Sequence, residues 1–281
     1  MNRSGTDKPR PNPAAARLRV SRTGRWLQFR HNHCYERVHL DLAIPRLHPT
    51  LAGLRIVHLS DLHLTHRWLR GFDELFQQLN DSPTDLVLFS GDFVEHKFDH
   101  RPALPTLRRF LDGLKSRLGS FGILGNHDGD LLTARIANFP LTLINGRSAV
   151  LSDGSARLEL LGFPGVGRED VPTFDHRTFA VEPHPPDGAA RIALTHFPDT
   201  VTHVARLRPH LVLSGHTHGG QVCLPGRRPL ITHDSLPTSQ SAGLHDIDGT
   251  TLYVSRGFGF STLPLRLFSP AEVLEIVLHR A

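Results

Sequence analysis

"SFGILGNHD", residues 120–128, runs from an apolar stretch straight into Gly125, Asn126, His127 and Asp128. Gly, Asn and Asp are turn formers, so a plain turn is one reading. The other is a strand that delivers a histidine, flanked by an amide and a carboxylate, to an active site. The flanking chain bears on the choice. "LRIVHLSD" (54–61) is an apolar run that ends at Asp61, as a buried strand does. "LRGFDELFQQLN" (69–80) places Leu69, Phe72, Leu75, Phe76 and Leu79 at helical spacing. "DLVLFSGD" (85–92) is a second strand, and "LPTLRRFLDGLKSRLG" (104–119) a second helix closed by Gly119. Strand–helix–strand alternation predicts parallel strands joined by crossover helices, an α/β fold.

Further along, "LTLIN", "SAVLS" and "RLELLGF" are strand-like and closely spaced. "RIALTH" and "HLVLSGHTH" are two more strands, with a short helix over 199–207 between them. "QVCL", "TLYVSR" and "EVLEIVLH" close the chain as strands. The pattern predicts about 11 strands and four or five helices in one domain. Residues 165–190 and 225–249 are long polar segments of the kind that often carry function.

Hydrophobic residues make up 39% of the 281 and charged residues 21%, enough for a real core. No apolar run approaches the roughly 18–20 residues of a membrane span, and the N-terminus lacks the apolar stretch of a signal peptide. Two cysteines, Cys34 and Cys223, suit a reducing compartment. The predicted location is therefore cytoplasmic. The net charge of +5 is unevenly spread. Residues 1–30 hold eight Lys/Arg and one acid, leaving 24 basic and 26 acidic side chains elsewhere. The expected organisation is a basic, flexible tail over 1–36, with a strand near 37–42 opening the domain of 37–281. Such a tail is either solvated or touches an anionic membrane surface, which would place the protein peripherally at the inner face. It lacks the interleaved aromatics of a nucleic-acid platform, and the near-neutral body gives no reason to expect nucleic acid.

Five motifs fall at predicted strand ends: "SDLH" (Asp61, His63), "SGD" (Asp92), "GNHD", "TH" (His196) and "GHTH" (His216, His218). Asp-x-His is expected about once by chance in this composition, but GHxH only about 0.1 times and GNHD about 0.003 times. In an open α/β sheet, ligands gather at the carboxyl ends of strands. Asp, Asn and His without thiolate suit Mn, Fe or Zn, with Mg also open. In an extended Asp61-x-His63, both side chains would point the same way. Asp92 has two oxygens and can bridge. Asp61, His63, Asp92 and His218 would hold one ion, and Asp92, Asn126, His196 and His216 the other. Two such ions, roughly 3.5–4 Å apart, clamp a phosphate for in-line displacement. His127 is left as a proton donor for the leaving oxygen, with Asp128 either its orienter or a plain turn acid.

On these motifs, in this order, the chain resembles the calcineurin-like metallophosphoesterase superfamily over residues 37–279. "SGHTHGGQVCLP", "TLYVSRGFG" and "LPLRL" are similar to a bacterial subfamily of small phosphodiesterases, the YaeI and YkuE types, related to UDP-2,3-diacylglucosamine pyrophosphatases. The resemblance implies a four-layer α/β/β/α sandwich of two mixed sheets with the dimetal site at strand ends. It implies a phosphodiester or pyrophosphate hydrolase using a hydroxide that bridges the two ions, possible substrates including nucleotide-sugar and lipid-linked compounds. The alternatives are a catalytically silent binding module of the same fold, or a nuclease of the same superfamily. Many relatives begin with a membrane-spanning or export segment; this N-terminus shows none.

Other residues carry two readings. His58 lies inside the first strand, as core or as ligand. Arg227 and Arg256 meet a substrate phosphate or serve structure. Phe258, Phe260, Leu263, Leu265, Leu267 and Phe268 either pack in the core or form an apolar lip beside the site.

Overall fold

The computed structural model describes residues 15–165, 179, 181–232 and 234–281. Along the chain come β1 (Ala15–Arg22), β2 (Leu27–Phe29), β3 (Tyr35–Ile44), β4 (Arg55–Leu59), α1 (Arg70–Asp81), β5 (Leu86–Phe89), α2 (Leu104–Gly113), β6 (Ser120–Gly122), α3 (Leu131–Arg135) and β7 (Thr142–Leu143). Next are β8 (Ser148–Asp153), β9 (Ala156–Phe163), β10 (Ala190–Thr195), α4 (Val201–Val204) and β11 (Leu211–Ser214). Last are β12 (Cys223–Leu224), β13 (Arg228–Pro229), β14 (Gly243–Ile247), β15 (Thr250–Val254), β16 (Leu265–Leu267) and β17 (Ala271–Arg280).

One sheet has the order β1-β3-β17-β4-β5-β6-β7, the other β14-β15-β11-β10-β9-β8. β4 to β7 are mutually parallel, with α1, α2 and α3 on the successive crossovers. β9, β10, β11 and β15 are parallel in the second sheet, flanked by antiparallel β8 and β14.

Both sheets are covered on both faces, so their strands read as unbroken apolar runs that split by alternation. Ile56, Leu86 and Leu88 point between the sheets, where they meet Leu160, Ile192 and Leu213. Val57, Leu59, Val87 and Phe89 point the other way, onto Phe72 and Leu75 of α1 and Leu107, Phe110 and Leu111 of α2. A third core sets Val201, Val204 and Leu207 against Ala193, Val212 and Leu252 on the outer face of the second sheet. Three cores separate four layers, the α/β/β/α sandwich.

Residues 15–36, expected to be part of a flexible tail, carry strands. β1 pairs antiparallel with β3 from Ala15↔Ala43 to Arg22↔Arg37, and β2 pairs with β16. Leu18 and Val20 are 38% and 47% exposed, so main-chain pairing rather than burial holds β1, and such a strand leaves little apolar pattern to read. The part of the expected tail before Ala15 lies outside the described residues, as does most of the 165–190 segment.

α2 is shorter than predicted. After Gly113 the chain peels off, and Arg117 and Leu118 donate their N–H groups to Thr84 O and Asp85 O beside β5. Those bonds end the helix before Gly119. The count of 17 strands among the described residues exceeds the predicted 11 because several are two- or three-residue pairings too short to show a periodicity. No helix among the described residues is long and apolar enough to cross a membrane.

Candidate metal centre and active site

All seven predicted ligands stand just past the carboxyl ends of parallel strands: Asp61 and His63 after β4, Asp92 after β5, Asn126 after β6, His196 after β10, His216 and His218 after β11. The fold brings them together. Asp61 N–H donates to Gly91 O and His63 N–H to Asp92 O, locking the first two turns to each other. Two glycines permit the close approach. A Cβ on Gly125 would lie 2.2 Å from Asp92 Oδ1, and one on Gly215 would lie 2.3 Å from Asp61 Oδ2.

The extended Asp-x-His geometry is corrected. β4 stops at Leu59, and Asp61 and His63 have φ of 50° and 43°. Asp92, His216 and His218 are also left-handed, at 55°, 69° and 52°. Ladder pairing would commit these residues to the pleat, whereas the tight turns aim five ligand side chains at one point.

Asp92 Oδ2 lies 3.4 Å from His63 Nε2 and 3.5 Å from His196 Nε2. His63 Nε2 and His218 Nε2 are 3.0 Å apart, and His218 Nε2 is 3.6 Å from Asp61 Oδ1. Asn126 Oδ1 is 2.8 Å from His196 Nε2 and 3.1 Å from His216 Nδ1. Ligand atoms of Asp61, His63 and His218 lie within 4.8 Å of one another, and so do those of Asp61, Asp92 and His196, so Asp61 belongs to both groups. Outer contacts fix several ligands. Asp61 accepts the His216 N–H at 3.0 Å, and His196 Nδ1–H donates to Ser90 O at 2.9 Å.

The electrostatics fit divalent cations. Asp61 and Asp92 are 0% and 2% exposed, and His196 0%. Burial alone would depress His196, but Asp92 and Asp61 overcome it and lift the imidazole to about 9. His63 is likewise raised against its burial by Glu95, Asp92 and Asp61. His218 is driven well below its ordinary value by burial, with His63 and Arg266 adding to it. Buried carboxylates of this kind demand a positive partner, which a divalent cation can supply. Oxygen and imidazole donors without a thiolate suit Mn, Fe, Zn or Mg.

His127 sits at the edge of this cluster, its ring edge-on to His63 at 4.8 Å between centroids. Its Nδ1–H donates to the main-chain carbonyl of Glu95 at 2.9 Å. Asp128 is not its orienter. Asp128 is fully buried, and its carboxylate accepts the N–H groups of Asp92 (2.9 Å), Phe93 (2.7 Å), Val94 (3.2 Å) and Gly125 (2.7 Å). It is a backbone clamp between the β5 and β6 turns. Burial, then the neighbouring Asp92, pushes its carboxyl up to about 7 against the pull of the Gly125 and Val94 N–H groups.

The two arginines expected at substrate are engaged elsewhere. Arg256 is 7% exposed and lies 2.5 Å from Glu36 and 2.6 Å from Glu272. Arg227 is 2.6 Å from the same Glu36. A fully buried Glu36 draws both into a structural ion-pair network. His58 is core, its Nε2 2.9 Å from Ser90 Oγ. Phe258 and Phe260 are buried, Leu265, Leu267 and Phe268 half-buried, and of the proposed lip only Leu263 is exposed, at 50%.

Four residues escaped the sequence reading. Glu95 Oε2 is 2.6 Å from His63 Nδ1. Arg266, fully buried, faces His218 Nδ1 at 3.1 Å and donates to Gly259 O and Ser269 O. Arg30 and Arg67 lie near His63 together with Thr65, Leu69 and Phe260. Arg266 lies within the "LPLRL" stretch and Glu95 three residues after the aspartate of GD, while Arg30 and Arg67 lie in no motif.

The model of the family "Calcineurin-like phosphoesterase" matches residues 54–220. The uncharacterized metallophosphoesterase YkuE of Bacillus subtilis is 30% identical over 234 residues, covering 79% of this chain and 77% of that one. YkoQ of the same organism, also an uncharacterized metallophosphoesterase, is 28% identical over 80% of this chain and 83% of its own. The UDP-2,3-diacylglucosamine pyrophosphatase LpxG of Chlamydia trachomatis is 27% identical over 83% of this chain and 86% of its own. With its donor set in family order on a four-layer sandwich, the chain belongs to the calcineurin-like phosphoesterase family and is a metal-dependent phosphoester hydrolase.

Proposed function

We propose that the chain hydrolyses a phosphodiester or pyrophosphate bond at a centre for two divalent ions. Asp61, His63, Asp92 and His218 hold one, Asp92, Asn126, His196 and His216 the other, and His127 is the general acid. The observation that carries this is Asp92 Oδ2, set 3.4 Å and 3.5 Å from imidazole nitrogens of opposite half-sites. The ions, when bound, supply Lewis acidity to the phosphoryl group and make water acidic enough to attack near neutral pH. The chain does the rest. With Nδ1–H held by Glu95 O, His127 in its doubly protonated form offers Nε2–H to the departing oxygen.

The substrate reading is a lipid-linked or nucleotide-sugar compound handled at an anionic membrane surface. Similarity to LpxG supports it, as does exposed apolar surface at Trp26 (61%), Leu230 (57%), Ile231 (65%) and Leu263 (50%). The test is hydrolysis by the full chain with Mn, Mg, Fe or Zn of monoesters, diesters, nucleotide-sugar pyrophosphates and their acylated forms. Preference for acylated pyrophosphates, with salt-sensitive sedimentation on anionic vesicles, is the expected result. Equal turnover of water-soluble diesters and no vesicle binding removes the lipid reading. No turnover with any metal removes the enzyme reading and leaves the silent binding module.

A further inference from the structure

The ribbon formed by β2 and β16 is inside out. Its register sets Leu27 opposite Leu267, Gln28 opposite Arg266 and Phe29 opposite Leu265. Side chains alternate across a strand, so Gln28 and Arg266 share one face and the four apolar residues the other. The polar face is the buried one: Gln28 and Arg266 are fully buried, whereas Leu27, Phe29, Leu265 and Leu267 are only half-buried. An antiparallel ribbon with one face toward water ordinarily turns its polar side chains outward.

The apolar face continues sideways. Leu267 bridges to Val222, and Val222 O accepts the Leu230 N–H at 3.3 Å. β12 and β13 thus extend the ribbon, and this hairpin exposes Leu224, Leu230 and Ile231. At the other end Trp26 leads into β2 and stacks on Phe268 at 5.5 Å between centroids, yet remains exposed. Leu263 is exposed as well, its carbonyl accepting Gln221 Nε2–H at 3.1 Å. Five of the ten large apolar side chains exposed among the described residues therefore gather on adjoining segments, a cluster rather than a scatter.

The cluster carries charge of one sign. Residues 24–31, 222–232 and 256–270 contain six arginines and no Asp or Glu. Arg25 and Arg228 are exposed. Glu36, Glu272 and Glu95 reach these segments from beneath, but Glu36 is engaged by Arg227 and Arg256, Glu272 by Arg256, and Glu95 by Thr262 N–H and His63.

We propose that this surface docks the protein on an anionic lipid bilayer, with Trp26, Leu230, Ile231 and Leu263 entering the interface and Arg25 and Arg228 meeting phosphate headgroups. For its purpose the inference rests on the lipid-linked substrate reading. Tryptophan and aliphatic side chains beside arginine are the composition of an interfacial anchor. A self-complementary contact with a second copy would instead bring the same arginines together. The docking segments also border the metal centre, since Arg266 lies 3.1 Å from His218 Nδ1. A phosphoester at headgroup depth would reach the centre without leaving the membrane.

The chain has two tryptophans, Trp26 and Trp68, so the full chain with Trp68→Phe reports on Trp26 alone. The probe is vesicles of phosphatidylcholine, with or without phosphatidylglycerol, carrying brominated acyl chains. The expected result is a blue shift and quenching of Trp26 on anionic vesicles, fading at high salt. Leu230→Asp combined with Ile231→Asp should weaken partitioning about tenfold or more. Arg25→Gln and Arg228→Gln should each weaken it about fivefold on anionic vesicles. All of these variants should keep wild-type turnover of a water-soluble nitrophenyl phosphodiester, which shows the fold intact.

Vesicle binding with Trp26 unquenched, undiminished by the Leu230 and Ile231 substitutions, assigns the contact to the basic N-terminal arm and overturns the proposal. A dimer by light scattering that those two substitutions dissolve, with no vesicle binding, makes the surface a contact between copies and also overturns it. No binding to any vesicle does the same, even if acylated pyrophosphates in detergent are hydrolysed and the substrate reading stands. Quenched Trp26 without preference for acylated substrates upholds the docking surface and brings down the substrate reading alone.

Discussion

The Asp128 carboxylate accepts the Asp92 main-chain N–H at 2.9 Å, so the acid that ends GNHD holds the turn that carries the bridging ligand. The same carboxylate takes the N–H groups of Phe93, Val94 and Gly125. Asp128→Ala would strip four buried donors of their acceptor. An unsatisfied buried donor costs roughly 1–3 kcal/mol, so a loss of at least about 3 kcal/mol is expected in denaturant unfolding. His127→Gln should leave the unfolding midpoint near wild type. If Asp128→Ala keeps full stability and loses only rate, the clamp assignment is wrong.

Asp92→Asn should lower metal content from two ions per chain to below one. Asparagine tolerates the φ of 55° found at Asp92, so the backbone survives and the effect reports the lost charge and bridging oxygen. Elemental analysis after gel filtration checks this, and two retained ions would contradict the bridge.

His127→Gln should keep both ions and cost about 10²–10⁴ in kcat. The loss should shrink for nitrophenyl esters, whose leaving group needs little protonation. Departure of an ion with the imidazole would make His127 a ligand.

Acid should destabilise the fold through buried neutral histidines. His33 donates Nε2–H to Phe258 O at 2.7 Å, and its Nδ1 has no hydrogen-bond partner among the described residues. Burial lowers its pKa from 6.5 to about 4, and burial also lowers His58 to about 3 and His210 to about 4. The unfolded chain takes the proton first, so this stability is whole above about pH 6.5 and drains as pH falls toward 4. His33 alone accounts for about 3 kcal/mol. His33→Gln, which keeps a donor for Phe258 O and cannot titrate, should flatten the stability–pH curve over that window. An identical slope in variant and wild type would refute this.

Arg227→Ala should leave KM near wild type, since its guanidinium is committed to Glu36. Steady-state kinetics checks this, and a raised KM would place Arg227 at the substrate.

The ligands were legible because each ends an apolar run and because GNHD and GHTH are rare combinations. Two strand-end patterns therefore indicated both the layers and the place where they converge. The local geometry was not legible. A strand running on to His63 is the simplest extrapolation of "LRIVHLSDLH", and only tertiary contacts show the chain turning left-handed at Asp61. Arg256 and Arg227 looked free because Glu36, the partner that takes both, lies far earlier in a stretch expected to be tail. Glu95 and Arg266 act on imidazole nitrogens across the fold, and a bond of that kind leaves no local spacing to detect. β1 was missed for the opposite reason: it buries almost no side chain.

Five of the seven ligand positions hold a non-glycine residue at positive φ. Each such conformation costs roughly 1–3 kcal/mol unless its surroundings enforce it. The site is therefore a spring wound by the fold and held by clamps such as Asp128. A chain released from catalysis would gain by unwinding it. Glycine at position 216, the least buried of the five, should raise the melting temperature even as it abolishes turnover. The most thermostable forms of this domain should accordingly be inactive ones, and selection for heat resistance alone would erode the centre from its backbone outward.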